Sequence, residues 1–89
     1  LGWVYYQLGN YEQALEVLLK ADSIVPEEAV VLEHIADTYK RLGQEQASLE
    51  YYKKAVASPK ATKEELVRIQ NKLDKLQKVL AKDEAKQGA

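Results

Sequence analysis

Shifted by 34 residues against itself, this chain aligns Tyr5 with Tyr39, Leu8 with Leu42, Gly9 with Gly43, Leu15 with Leu49, Glu16 with Glu50, Lys20 with Lys54 and Ala21 with Ala55. These seven identities fall within the 26 pairs from Leu1/Ile35 to Pro26/Lys60, more than composition alone would give. The matched glycines and alanines stand where size decides how closely two helices approach. A period of about 34 residues is that of a helix-turn-helix repeat.

Hydrophobic spacing agrees. Over residues 29 to 42, Leu32, Ile35, Ala36, Tyr39 and Leu42 recur at intervals of three and four, which places them on one helical face and makes that face the core. Gly9 and Gly43 then interrupt the pattern, because glycine tolerates the left-handed conformation that ends a helix. Asn10, with Gln13 three residues on, has the spacing of a capping box, and Glu27 and Glu28 suit the positive end of a helix dipole. Thr62-Lys63-Glu64-Glu65 has the same box spacing ahead of Leu66, Ile69, Leu73, Leu76 and Leu80, one long amphipathic helix of about 33 Å. Gln70 and Gln77 occupy the places of a third repeat's small residue and turn glycine, so this helix is expected to cap the array, with its lysine-rich face in water. The expected helices span residues 1 to 8, 11 to 24, 27 to 42, 45 to 57 and 63 to 84.

At family level the chain resembles the tetratricopeptide repeat. Leu1, Gly2, Tyr5, Ala14, Leu18 and Pro26 fit the end of one repeat, and Leu32, Ile35, Ala36, Tyr39, Ser48 and Tyr52 fit a complete second one. Ala36 stands for the usual Gly, Ser48 for Ala, and Pro59 comes one residue early, which points to a reshaped exit from the second repeat. The segments Leu1 to Tyr6 and Leu32 to Asp37 are similar to terminal repeats of bacterial multi-repeat proteins. The resemblance implies an all-α, right-handed solenoid fragment: a partial repeat over 1–26, a full one over 27–60, and a capping helix with a short tail over 61–89. It also implies a concave groove that holds an extended peptide or a partner helix.

Composition narrows the chemistry. The 89 residues contain no Cys, which excludes disulfides, thiolate metal sites and cysteine nucleophiles, and 13 Lys and Arg against 14 Asp and Glu leave a formal net charge of −1. Basic residues are concentrated late: residues 1–58 hold five basic and nine acidic side chains, residues 59–89 eight and five. No apolar run is long enough for a membrane span. The helical pattern already under way at Leu1 and the absence of Met point to a fragment of a longer protein, so the compartment stays open, cytoplasmic by default or at a cell envelope. His34 is the only histidine, with no second one to share a metal, no Gly-rich phosphate loop follows a strand, and no Ser or Thr has a base placed to activate it. No catalytic residue, metal or cofactor is expected.

The informative surface is the face of each first-of-pair helix opposite its packing stripe. It carries Val30, Glu33, Asp37, Lys40 and Arg41, with Trp3, Tyr6 and Gln7 in line at the 34-residue offset. Trp, Tyr and Arg dominate interface hot spots, so these eight residues are the candidate site for a protein partner. Trp3 and Tyr6 fit equally well as contacts to a preceding repeat. One subclass of the resembled family grips acidic chaperone tails with groove cations; Glu33 and Asp37 oppose that, so the expected partner is a basic or apolar segment. Arg68, Lys72, Lys75, Lys82 and Lys86 along the last helix read as a solvated face, since no aromatic beyond Tyr52 could stack on bases and acids interrupt the field. Neither nucleic-acid binding nor membrane insertion is expected. The function expected is protein-protein scaffolding. The alternatives are a purely structural end to a longer array, and self-association through an apolar N-terminal edge of Leu1, Val4, Tyr5 and Leu8.

Overall fold

The computed structural model describes the backbone of residues 2–87 and the side chains of residues 5–82. It is all-helical, with no strand among the described residues: α1 (Gly2–Gln7), α2 (Tyr11–Ile24), α3 (Ala29–Arg41), α4 (Glu45–Val56) and α5 (Lys63–Gln87). Each helix packs on the next in the chain, and α5 also reaches back to α3. None of the described helices is long and apolar enough to cross a membrane.

The two glycines of the repeat do the same work. Gly9 (φ +80°) and Gly43 (φ +78°) are left-handed. After α1 the amide of Gly9 donates to the Tyr6 carbonyl and that of Asn10 to Tyr5; after α3, Gly43 donates to Lys40 and Gln44 to Tyr39. This paired pattern is the Schellman closure, which satisfies carbonyls left over at a helix end. The Thr62 box also forms: the Thr62 amide donates to Glu65 Oε1 at 2.8 Å, and the Glu65 amide to Thr62 Oγ1 at 3.1 Å.

One expected cap does not form, and one expected helix start is displaced. Asn10 is the N-cap of α2 but makes no side-chain cap hydrogen bond, so the Asn10/Gln13 box does not form. The third helix begins at Ala29 rather than at residue 27, because Glu27 takes a left-handed φ of +66° and Glu28 becomes an extended N-cap. Contacts from a later loop accompany the departure: the Ser58 hydroxyl donates to the Glu27 carbonyl, and Lys60 Nζ donates to the Pro26 carbonyl at 2.9 Å. The segment around Pro59 thus ties the α2–α3 loop to the α4–α5 loop.

Leu32, Ala36, Tyr52, Ala55, Ile69, Leu73 and Leu76 form one buried cluster with Ala29, drawn from α3, α4 and α5. Ile35 is fully buried as well. Small residues let α3 and α4 close on each other, and Ser48 serves there because its hydroxyl donates to the Ala36 carbonyl at 2.7 Å instead of standing unpaired in the core. Of the expected core face, Tyr39 and Leu42 are only half-buried.

A Cβ added at Gly43 would meet nothing within 4 Å, so only its dihedral angle resists substitution. Gly43→Ala should therefore cost about 1–2 kcal/mol, and Gly43→Asn clearly less. Urea denaturation of the two variants tests this; equal losses would mean that the turn, rather than the left-handed φ, is what the substitution disturbs.

Candidate functional site

Glu33 and Asp37 lie one turn apart on α3, and Arg68 and Lys72 one turn apart on α5. The two pairs meet with the same sequence separation, 35 residues. A constant offset across one turn means that the two helices run in the same direction here. Arg68 grips Glu33 with two hydrogen bonds, Nε to Oε2 at 2.9 Å and Nη2 to Oε1 at 2.7 Å. Lys72 Nζ bridges the two acids, 2.8 Å from Glu33 Oε2 and 3.0 Å from Asp37 Oδ2. The second Asp37 oxygen accepts the hydroxyl of Tyr52, which comes up from α4. All four carboxylate oxygens are engaged.

Burial is unequal across this cluster. The Glu33 and Asp37 side chains are 5% and 17% exposed, those of Arg68 and Lys72 49% and 38%. The acids lie beneath and the cations on top, so the face turned to solvent is positive.

The proton affinities follow. Burial works against the charged form of Glu33, but the hydrogen bonds from Arg68 and Lys72 more than offset it and hold the carboxyl below its ordinary value. Burial likewise disfavours the Lys72 ammonium, and its bonds to Glu33 and Asp37 reverse the balance and raise its pKa. The Tyr52 hydroxyl is pushed far up, first by burial and then by Asp37. His34, beside the cluster, is lowered by burial in spite of Asp37 and Glu33. No group of three or more His, Asp or Glu side chains able to hold a metal occurs among the described residues.

Next to the acids an open cleft of about 470 Å³ is lined by Tyr6, Asp37, Lys40, Arg41, Tyr52, Lys72 and Lys75. Arg41 Nε donates to the Tyr6 hydroxyl at 3.2 Å, which ties α1 to α3, again across 35 residues. Four of the eight residues singled out in the sequence therefore come together: Tyr6, Asp37, Lys40 and Arg41. Glu33 lies buried in the ion-pair cluster instead of facing a ligand. Gln7 and Val30 are exposed but do not line the cleft. The Trp3 side chain, like those of Leu1, Val4 and Lys86, lies outside the described residues.

Three lining residues were not singled out for the site. Tyr52 enters the sequence reading only as a match to the repeat pattern, and most of its ring lies in the core; Lys72 and Lys75 are read there as a solvated face. Arg68 and Lys72 in fact turn onto α3, because α5 runs beside it. A signal existed: opposite charges recur at one separation, Glu33 with Arg68 and Asp37 with Lys72. Those contacts also remove the basis for a basic partner, since the acids that would attract one are neutralised from within the chain.

Residues 6–81 match the family model described as RMD1-3: Regulator of microtubule dynamics protein 1-3. The chain belongs to this family. That corrects the assignment to the tetratricopeptide repeats and to bacterial multi-repeat proteins, for which the match gives no support. The residues that suggested it set small contacts and helix ends, which any closely packed pair of helical hairpins needs. The RMD1-3 match spans every residue lining the cleft. No individually curated protein matches the chain significantly.

The depressed Glu33 pKa fixes a sign. Its stabilisation is fully present above the ordinary value of 4.5 and is lost as the pH falls through the folded-state value. Glu33→Gln should cost about 1–3 kcal/mol at neutral pH, toward the lower end because both cations keep access to water. The gap between the two proteins should then narrow below the ordinary carboxylate range. Denaturant titrations over a pH series decide it, and a gap independent of pH would remove Glu33 ionisation from the stability of the fold.

Proposed function

We propose that this chain is a non-enzymatic protein-binding module whose working surface is the cleft between α1, α3 and α5. One observation carries the reading: acids buried beneath half-exposed cations give a fixed, solvent-facing polar surface in which two tyrosines are already oriented. Such a surface binds by complementarity without reorganising, and Tyr and Arg are the residue types that anchor interfaces. Nothing lining the cleft pairs a nucleophile with a base. Asp37 is occupied by Lys72 and Tyr52, and the Tyr52 hydroxyl holds its proton too tightly to act as an acid near neutrality.

The repeated 35-residue separation supports a finer architectural reading: α1, α3 and α5 form successive inner layers of a short solenoid, backed by α2 and α4. The family description makes the microtubule the first partner to test. Purified chain should co-sediment with stabilised microtubules, and Arg41→Ala, which also removes one contact of the Tyr6 hydroxyl, should weaken binding about three- to tenfold without loss of helicity. Absence of the chain from the pellet would set the microtubule aside as a direct partner. Unchanged binding by Arg41→Ala would move the contact away from this cleft.

A further inference from the structure

The α3–α5 contact is a ladder of charge pairs at one register. Its first rung is Glu33 with Arg68 and its second Asp37 with Lys72, each separated by 35 residues. The same separation carries Lys40 to Lys75, one helical step further along both helices. Both lysines are exposed and both line the cleft. The third rung is thus like-charged: two cations face one space, with Arg41 adjacent and both neighbouring acids already consumed by Arg68, Lys72 and Tyr52. No ion-pair partner for Lys40 or Lys75 occurs among the described residues.

We infer that this rung is the recognition element of the cleft, and that its occupant is an acidic peptide segment whose carboxylate takes the place of the missing acid between Lys40 and Lys75. This rests on the protein-binding reading and sets the sign of the partner opposite to that expected from the sequence. Charge complementarity selects the occupant. The buried acids cannot attract a cation because they are internally neutralised, whereas three cations at the mouth attract an anion and steer it in. Peptide is favoured over nucleic acid because Tyr52 is almost wholly buried, with its hydroxyl on Asp37, and the Tyr6 ring packs edge-to-face on Tyr11 at 5.4 Å, so the cleft offers no pair of open ring faces on which successive bases could stack. It is favoured over a lipid surface because the cations line a recess rather than a flat basic face, and the chain as a whole is not positive.

The test uses a fluorescent octaglutamate peptide in anisotropy titrations, with octalysine, phosphatidylserine vesicles and single-stranded oligothymidylate as the competing chemistries. Octaglutamate should bind and octalysine should not. Lys40→Glu and Lys75→Glu should each weaken octaglutamate binding about fivefold or more, the effect of at least one exposed ion pair. Lys53→Glu, which changes the net charge equally at an exposed site on α4 outside the cleft, should change it less than twofold. Lys75→Glu supplies the rung's acid from within, so its melting temperature should rise while its binding falls, which a merely damaged fold would not show. Equal losses for Lys53→Glu and Lys75→Glu would overturn the proposal by reducing it to net charge. Tighter binding of vesicles or oligothymidylate with the same lysine dependence would overturn the peptide as occupant. Failure of octaglutamate alongside intact microtubule co-sedimentation would discard this inference and leave the protein-binding reading standing; the converse result would leave the acidic-segment site standing and remove the microtubule.

Discussion

Glu33 is a carboxylate on the inner side of a helix, taken almost wholly out of water, and the arrangement of α3, α4 and α5 around it follows from that cost. An isolated buried charge is expensive, and it persists only with partners at hydrogen-bond distance. Arg68 supplies a two-pronged match and Lys72 a bridge to Asp37, so α5 must lie alongside α3, in the same direction and at one register. The apolar side of α5 buries Ile69, Leu73 and Leu76, which stabilises contact with α4 but says less about sliding along α3. Hydrophobic burial is non-directional, whereas the paired charges distinguish one register from its neighbours.

The same interaction shapes the surface. Because the acids are the buried members and the cations the half-exposed ones, a cluster that is neutral in sum presents its positive side outward. Asp37 is shared among Lys72 and Tyr52 and so links three helices, while Arg41 and Tyr6 extend the hydrogen-bonded face to α1. The cleft is therefore a consequence of how the fold neutralises its own interior. Its floor consists of groups whose rotamers are already fixed, which lowers the entropic cost of binding there.

What could be read in advance was what is encoded locally. Gly9 and Gly43 end helices through a dihedral preference that needs no tertiary information, and Thr62 with Glu65 forms a box within one turn. The stripe from Leu66 to Leu80 marked the buried side of α5 by spacing alone. Asn10 shows the limit: the right residue at the right spacing makes no cap bond, and Glu27 is left-handed with its carbonyl accepting from Ser58, thirty-one positions away. The charged face of α5 is solvated as read, but its pairing was hidden for the same reason. On a single helix Arg68 and Lys72 look solvated, and only α3 beside them reveals two of the lysine-rich face's cations as structural. The family assignment failed differently, since the residues that matched the repeat pattern report helix-to-helix distance and turn shape, which different helical families share.

The like-charged third rung raises the question of why the fold tolerates Lys40 opposite Lys75. Lys40 and Arg41 occupy the last turn of α3, where the exposed carbonyl end of the helix favours cations. That interaction partly offsets repulsion from α5 and lets positive charge accumulate at one end of the cleft without a buried acid beneath it. Lys75 lies in the interior of α5 and has no such compensation, so it is the member of the rung with most to gain from an incoming anion. The helix end also limits where that anion can sit, because its carbonyls repel negative charge. A carboxylate is directed to the side chains between the two helices and away from the terminus of α3, at the level where the ladder of paired charges stops.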